Sequence, residues 1–194
     1  MPKHVRIAEL KPTQMTLGMY FVSLNLDGFQ ELSKKRFKKL VERKVVPAVR
    51  GPDKHYWMID RHHFCRSLYE RGETSANVKK VLDCSHLGEK EFAHVMEKSG
   101  LIHPYNEAGD RLGFSDLPTK ISELTDDPYR TLAGLVREHG GYRKEKRPYA
   151  EFLWADFYRE RVDRHLLTGN FSDAVQLAVD LAGSNEASHL PGWK

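Results

Sequence analysis

The chain has 194 residues, of which 40% are apolar and 30% charged, proportions typical of one compact globular unit or of one unit with a small helical annex. No long uncharged apolar run occurs, so we expect no membrane-spanning helix and no membrane partner. The formal net charge of +4 mildly favours an anionic partner, such as a nucleotide or a nucleic acid.

The N-terminal stretch and the two cysteines bear on the compartment. The stretch MPKHVRIAEL carries charges where a secretory signal peptide needs its apolar core. Cys65 and Cys84 lie on apolar patterns without a CxxC partner, so buried free thiols are predicted. Together these features predict a cytoplasmic protein.

The first part of the chain mixes strand-like and helix-like patterns. Residues 5–10 alternate apolar and charged side chains, and residues 21–26 (FVSLNL) form a second short extended candidate. Between residues 30 and 44 the apolar period changes, and Phe37 and Leu40 recur at helical spacing. That segment is therefore predicted to be an amphipathic helix whose outer face is rich in lysine.

Two apolar runs, VVPAV and YWMID, flank a Gly-Pro-Asp turn and predict neighbouring strands or a hairpin. A helical stripe through Phe64 and Leu68 follows, and Gly72 is placed to end that helix in the left-handed conformation. The stretch NVKKVLDC then predicts another strand, and EKEFAHVMEKSG predicts a helix that ends at Gly100. Residues 103–116 lack periodicity and predict an irregular connection.

The last third of the chain is helical by pattern. Asp127 and Pro128 form a good helix start, Pro148 opens a longer helix, and Ser172 is placed to cap a third. We therefore predict an α+β domain over residues 1–100, with a small mixed sheet and helices. A helical region over residues 101–194 is expected to pack against it.

An acid and two histidines lie at the seam where a predicted strand meets a predicted helix: Asp60, His62 and His63. The amides of a first helical turn lack helical partners and the helix dipole is positive there, so the seam is a natural anion site. Asp60 is also able to cap the helix, which leaves a simple helix start with two ordinary histidines as the alternative. Adjacent histidines on a helix point about 100° apart, so they converge poorly on one metal ion.

A phosphate or nucleotide site suits this chemistry better than a zinc site. The histidines and Arg66 supply hydrogen-bond donors, and Asp60 is able to orient a histidine or to bind Mg²⁺. Histidine is also the usual general acid or base near neutral pH.

Three charged residues outside the seam are further candidates. Arg130 lies in the first turn of its helix, where the dipole disfavours a cation unless an anion is also present. Asp156 stands between apolar neighbours, so it either has a partner at the site or pairs with Arg159 on the surface. Glu151 is the other candidate acid of this segment.

Several motifs resemble a known family. The stretches LKPTQMTLGM, VVPAVRGPDKHYWMIDRHHFCRSLYERG and PYRTLAGLVREHGGYRKEKRPYAEFLWADFYR, and the closing HLPGW, are similar to successive blocks of the ParB-like nuclease family, which is related to the ParB/sulfiredoxin superfamily. The resemblance implies a small sulfiredoxin-like α+β fold that binds nucleotide phosphates at the strand–helix junction. It implies that Asp60, His62 and His63 line the pocket. It also implies that the segment of residues 12–14 lies beside the pocket. We predict that Thr13, Gln14 and Gly18 contact the nucleotide, with a simple polar turn as the alternative.

The chain departs from two groups of that superfamily. Phe64 stands where the kinase-like relatives carry an arginine, and Arg66 is the nearest basic substitute. The arginine-rich box and the helix-turn-helix region of the partition ParB proteins are not evident in the sequence.

These features lead to one main functional prediction and two alternatives. We expect a phosphoester hydrolase, either a nuclease or an NTPase, in which His62 or His63 transfers protons and Arg66 and Arg130 offset phosphate charge. Mg²⁺ with a nucleotide is the expected cofactor. The alternatives are a non-catalytic nucleotide- or DNA-binding module, and a kinase for a small hydroxylated metabolite.

Overall fold

The computed structural model describes residues 2–145 and 149–194, so the predicted helix start at Pro148 lies outside the described residues. The chain forms two compact units, Met1–Thr125 and Asp126–Lys194. Within the described residues, no helix is long and apolar enough to cross a membrane. The combination of a sheet with helices confirms the predicted α+β class.

The first unit contains a five-stranded mixed sheet. Its strands, in chain order, are β1 (Lys3–Arg6), β2 (Leu10–Pro12), β3 (Thr16–Leu17), β4 (Val46–Arg50), β5 (Tyr56–Met58) and β6 (Ser75–Asp83). All except β3 belong to the sheet, in the order β1-β6-β4-β5-β2. The β4–β5 pair is antiparallel, which confirms the predicted hairpin, whereas the β4–β6 and β2–β5 pairs are parallel.

Four α-helices lie in the described part of this unit: α1 (Met19–Gln30), α2 (Lys34–Arg43), α3 (His62–Glu70) and α4 (Glu89–Lys98). Helices α2, α3 and α4 confirm the predictions from apolar periodicity, and Gly72 ends α3 with a φ of 85° as expected. The prediction of an extended segment at residues 21–26 was wrong, because these residues lie inside α1. Leu24 belongs to the apolar pattern that suggested a strand, but it is exposed rather than part of the core.

Two apolar clusters stabilise the first unit. The first combines buried side chains of the sheet with those of α1, α2 and α3, and the second surrounds Trp57 and the α4 residue Phe92. Both cysteines are buried free thiols, as predicted.

The chain after α4 remains part of the first unit. Ile121 packs into the first apolar cluster, and Ile102 and Leu117 pack into the second. The compact unit therefore extends to Thr125, whereas the sequence pattern placed the division near residue 100.

The strand β7 (Thr125–Asp126) leads from the first unit into the second. The helices that follow are α5 (Pro128–Glu138), α6 (Ala150–Arg159), α7 (Arg164–Gly169) and α8 (Phe171–Ala182). They pack around a buried aromatic group in which Tyr142 stacks on Trp154 with 4.2 Å between ring centroids.

The helix starts of the second unit agree only in part with the sequence prediction. Asp127 caps α5 as predicted, since its carboxylate accepts a hydrogen bond from the Tyr129 amide at 3.0 Å. The predicted cap of the last helix was wrong: Asn170 caps α8, and Ser172 lies inside its first turn. The long helix expected from residue 148 onwards is interrupted after α6, and Asp163 caps α7 as a separate helix.

Candidate functional site

The seam between β5 and α3 has an unusual backbone. Arg61, the residue before α3, has a φ of 67°, a left-handed conformation that a residue with a side chain adopts only at a cost. The Asp60 carboxylate accepts a hydrogen bond from the Arg61 amide at 2.6 Å, and the Arg61 Nε donates to the Val45 carbonyl at 2.8 Å. These bonds hold the strained residue. The Asp60 carboxylate therefore does not cap α3, so the predicted helix cap by Asp60 was wrong.

His62 is a buried residue that holds the segment around Thr13. Its Nε2 accepts a hydrogen bond from the Thr13 amide at 3.3 Å, and the Thr13 hydroxyl donates to the Met58 carbonyl at 2.7 Å. Because a backbone N–H only donates, Nε2 must be the acceptor, which places the ring proton on Nδ1. The structure thus brings Thr13 and His62 together.

Helices α1 and α3 run parallel and begin at the same end of the pair. The Phe21 ring meets the His63 ring edge to face at 5.8 Å, and one turn later the Asn25 amide donates to the Ser67 hydroxyl at 3.2 Å. Both contacts advance along the two helices in the same direction, so the positive ends of two helix dipoles lie side by side.

The residues that precede these helices do not cap them through side chains. Gly18 precedes α1 and has no side chain, and Arg61 precedes α3 without a side-chain cap bond. Neither N-cap residue therefore supplies a side-chain acceptor to the first turn of its helix, and helix N-termini are places where anions commonly bind.

A third histidine, which the sequence analysis missed, lies beside the same loop. The His103 amide donates to the Thr13 carbonyl at 2.7 Å, and the backbones of His103 and Gln14 pair as in a parallel β-ladder one residue long. Its ring stacks on Tyr105 at 4.5 Å between centroids. The sequence contained only a weak signal for this contact, namely the lack of periodicity after residue 102.

Gln14 and Arg66 make structural contacts. The buried Gln14 amide donates to the Thr16 carbonyl at 2.7 Å. The Arg66 guanidinium donates to the carbonyls of Ile121, Ser122 and Leu124 at 3.2, 3.2 and 2.9 Å, and it pairs with Glu70. Arg66 thus ties α3 to the segment that follows Lys120. Its predicted contact with phosphate stays a prediction.

Arg130 is a buried cation in the first turn of α5. Its Cζ lies 3.2 Å from the centroid of the Phe152 ring. Among the described residues, its Nε and Nη1 atoms have no hydrogen-bond partner. Burial lowers the pKa of this guanidinium to about 10, although the Asp127 carboxylate acts in the opposite direction. A buried cation with incomplete hydrogen bonding is consistent with the predicted anion contact but does not by itself identify an anion.

The two candidate acids of α6 both pair with arginines. Asp156 pairs with Arg159, which was one of the two alternatives from sequence, and Arg159 also contacts the buried Asp127 at 2.5 Å. Burial raises the pKa of Asp127 and of Asp156, and the Arg159 charge partly offsets that rise. Glu151 pairs with Arg137.

Metal ligands do not cluster in the part of the chain that the structure describes. There, no group of three or more His, Cys, Asp or Glu side chains lies close enough to hold a metal ion. Asp60 is exposed at the seam, and its predicted role as a Mg²⁺ ligand stays a prediction.

Comparison of the chain with known proteins shows which class of protein has this α+β fold. Residues 3–160 match the family model described as "Putative ParB-like nuclease". The chain therefore belongs to the ParB-like nuclease family. The crystal structure of protein Atu1540 from Agrobacterium tumefaciens is similar over 100% of this chain and 98% of its own, with 40% sequence identity and a TM-score of 0.92. No curated protein matches the chain.

Proposed function

We propose that the protein binds the phosphate of a nucleotide or nucleic acid where α1 and α3 begin, and that it hydrolyses a phosphoester there. The observation that supports this proposal is the parallel arrangement of the two helices, whose first turns meet through Phe21 and His63. The start of α3 also contacts the Thr13 segment through His62. Membership of the ParB-like nuclease family supports the choice of a phosphoester as substrate.

The two histidines of the seam take different roles in this proposal. His62 positions the binding loop, because its Nε2 is engaged by the Thr13 amide in the protein interior. His63 lies in the first turn of α3, is only partly buried, and is the group that we assign to proton transfer. Asp60, exposed before α3, would supply an oxygen ligand to a Mg²⁺ ion that accompanies the phosphate.

The contacts of the seam also favour a second function, a binding module without catalysis. Two groups that the sequence assigned to chemistry, His62 and Arg66, make structural hydrogen bonds. A pocket that keeps its helix ends but uses these side chains for support would bind phosphate without hydrolysing it. The kinase alternative gains no such support. Phe64, which stands where the kinase-like relatives carry an arginine, is buried in the core against Phe29.

Two measurements test the proposal. The first is thermal unfolding with a panel of nucleotides and inorganic phosphate, with and without Mg²⁺. Binding raises the melting temperature, and above the Kd the stabilisation grows with the logarithm of the ligand concentration. The second is hydrolysis of plasmid DNA and of ATP by the wild type and by His63→Ala. The matched control is His94→Ala, which removes an exposed histidine on α4 in the same unit.

Each outcome separates the two functions. Hydrolysis that is lost in His63→Ala and retained in His94→Ala supports the enzyme. Binding that stabilises the protein without turnover supports the binding module. If neither phosphate nor any nucleotide raises the melting temperature at millimolar concentration, the proposed phosphate site is wrong.

A further inference from the structure

The positive charge of the chain is concentrated on one helix. Residues 34–44 carry seven basic side chains and one acidic side chain, a formal charge of +6, which exceeds the +4 of the whole chain. The remainder of the protein is therefore slightly acidic. The basic side chains of α2 are exposed, because the helix packs into the core through Phe37 on its opposite face.

In the part of the chain that the structure describes, acids do not pair with these cations. We define the basic ridge as the exposed, unpaired cations of α2 and the adjoining strand β6: Lys34, Lys35, Arg36, Lys38, Lys39, Arg43 and Lys79. Within the described residues, no member of the ridge forms an ion pair, whereas Lys80 next to it pairs with Asp83. Arginines elsewhere in the described chain commonly have an acidic partner, such as Glu9 for Arg6 and Glu97 for Arg111.

We propose that the basic ridge binds the sugar-phosphate backbone of a nucleic acid. A row of unpaired cations repels itself, and a polyanion relieves that repulsion while releasing its own counterions. At about 1.5 Å per residue, a helix of this length extends along about four successive phosphates of one strand. Point charges on flexible stems contact phosphates rather than base edges, so the expected binding is independent of sequence.

The ridge continues toward the candidate phosphate site. Lys44 follows α2, and its Nζ lies 5.1 Å from the centroid of the Phe64 ring in α3. Arg61 lies next to this point of the chain, because its Nε donates to the carbonyl of Val45, the residue after Lys44, at 2.8 Å. Since Arg61 immediately precedes α3, a strand bound along the ridge leads to that helix start. This last step rests on the proposed function and makes the substrate a polymer rather than a free nucleotide.

The composition of the ridge disfavours a membrane surface. A helix that lies on a membrane needs exposed apolar side chains beside its basic face. The apolar side chains of α2 instead face the core: Phe37 is buried, and Leu40 and Val41 pack against the first apolar cluster.

The test measures binding of the full-length protein to a short fluorescent DNA duplex by anisotropy, at several salt concentrations between about 50 and 200 mM. The ridge variant is Lys38→Gln with Lys39→Gln. The control variant is Lys90→Gln with Lys98→Gln, which removes the same charge from exposed positions on α4. We expect the ridge variant to bind about tenfold more weakly, with a salt dependence shallower by about two ions, and the control to match the wild type.

Three results would overturn the proposal: equal affinity in the ridge variant, an equal loss in both variants, or ridge-dependent binding to phosphatidylserine vesicles without binding to DNA. The proposals for the ridge and for the phosphate site can be contradicted independently of each other. If His63→Ala abolishes hydrolysis but leaves DNA affinity unchanged, both proposals stand. Ridge-dependent DNA binding without phosphate binding at α1 and α3 would remove only the proposed function.

Discussion

The Nε2 atom of His62 accepts a hydrogen bond from the backbone amide of Thr13, which lies 49 residues earlier in the chain. This contact joins the start of α3 to the loop that follows β2, and it is buried. A histidine that sequence alone assigns to catalysis therefore has a defined task in shaping the site.

Replacement of His62 by alanine tests that task. We expect His62→Ala to lower the free energy of unfolding by about 2–3 kcal/mol, because it leaves the Thr13 amide without its acceptor and creates a cavity. Urea unfolding provides the measurement. The exposed control His94→Ala should change stability by less than about 0.5 kcal/mol. Unchanged stability in His62→Ala would show that the Thr13 contact contributes little.

A substitution of Arg66 tests whether this residue stabilises the fold or binds phosphate. In Arg66→Lys the three carbonyls of residues 121, 122 and 124 lose the planar guanidinium that they share. We expect a loss of about 2 kcal/mol in stability and phosphate affinity within twofold of the wild type. Arg111→Lys, at an exposed ion pair with Glu97, is the control and should be nearly neutral. Weakened phosphate binding with full stability would instead support the contact predicted from sequence.

Cys65 predicts a specific response to alkaline pH. Burial raises the pKa of its thiol from 9.0 to about 12, so the unfolded chain loses this proton at lower pH than the folded protein does. The folded state then binds more protons than the unfolded state above about pH 9, and stability falls as pH rises toward 12. Between about pH 8 and 10.5 the thiol should account for a loss of about 2 kcal/mol.

Comparison with Cys65→Ala isolates this contribution. The variant should lose less stability than the wild type over the same pH interval, measured by urea unfolding. The native thiol should also react slowly with a thiol reagent near neutral pH, because the thiolate is the reactive form. Rapid modification of Cys65 in the folded protein would contradict the account of its burial.

Arg130→Met tests the predicted anion contact in the second unit. Methionine fills a similar volume and removes a buried guanidinium whose Nε and Nη1 have no partner in the described chain. In phosphate-free buffer we expect stability within about 1 kcal/mol of the wild type. Added phosphate should raise the melting temperature of the wild type more than that of the variant, which keeps only the proposed site at the starts of α1 and α3. A loss of several kcal/mol without phosphate would show that the electrostatic attraction to Asp127 is what retains Arg130.

Much of the first unit could be predicted because its elements follow local rules. The hairpin of β4 and β5 has its turn residues between two apolar runs, and α3 has a clear apolar stripe with Gly72 as its stop. The α1 helix could not be predicted in this way, because its narrow buried face contains Val22 and Phe29 while Leu24 is exposed. Packing against α3 decides its conformation, and that contact is not visible in the local sequence.

The sequence led to two segments that the structure brings together, but it did not predict the individual contacts between them. The resemblance to the ParB-like family led to the seam at Asp60 and to the Thr13 segment, which the structure joins through His62. The contact of His103 with Thr13 depends on a distant loop and has no local pattern. The role of Arg66 likewise depends on carbonyls more than fifty residues away.

The central claim is that phosphate binds where α1 and α3 begin, and amide chemical shifts measured by NMR during a titration with inorganic phosphate and then ATP test it most directly. The account predicts that the largest saturable shifts occur in the first turns of both helices, at Tyr20 and Phe21 and at His63 and Phe64. Shifts confined to the basic ridge, or none at millimolar phosphate and ATP, would contradict it.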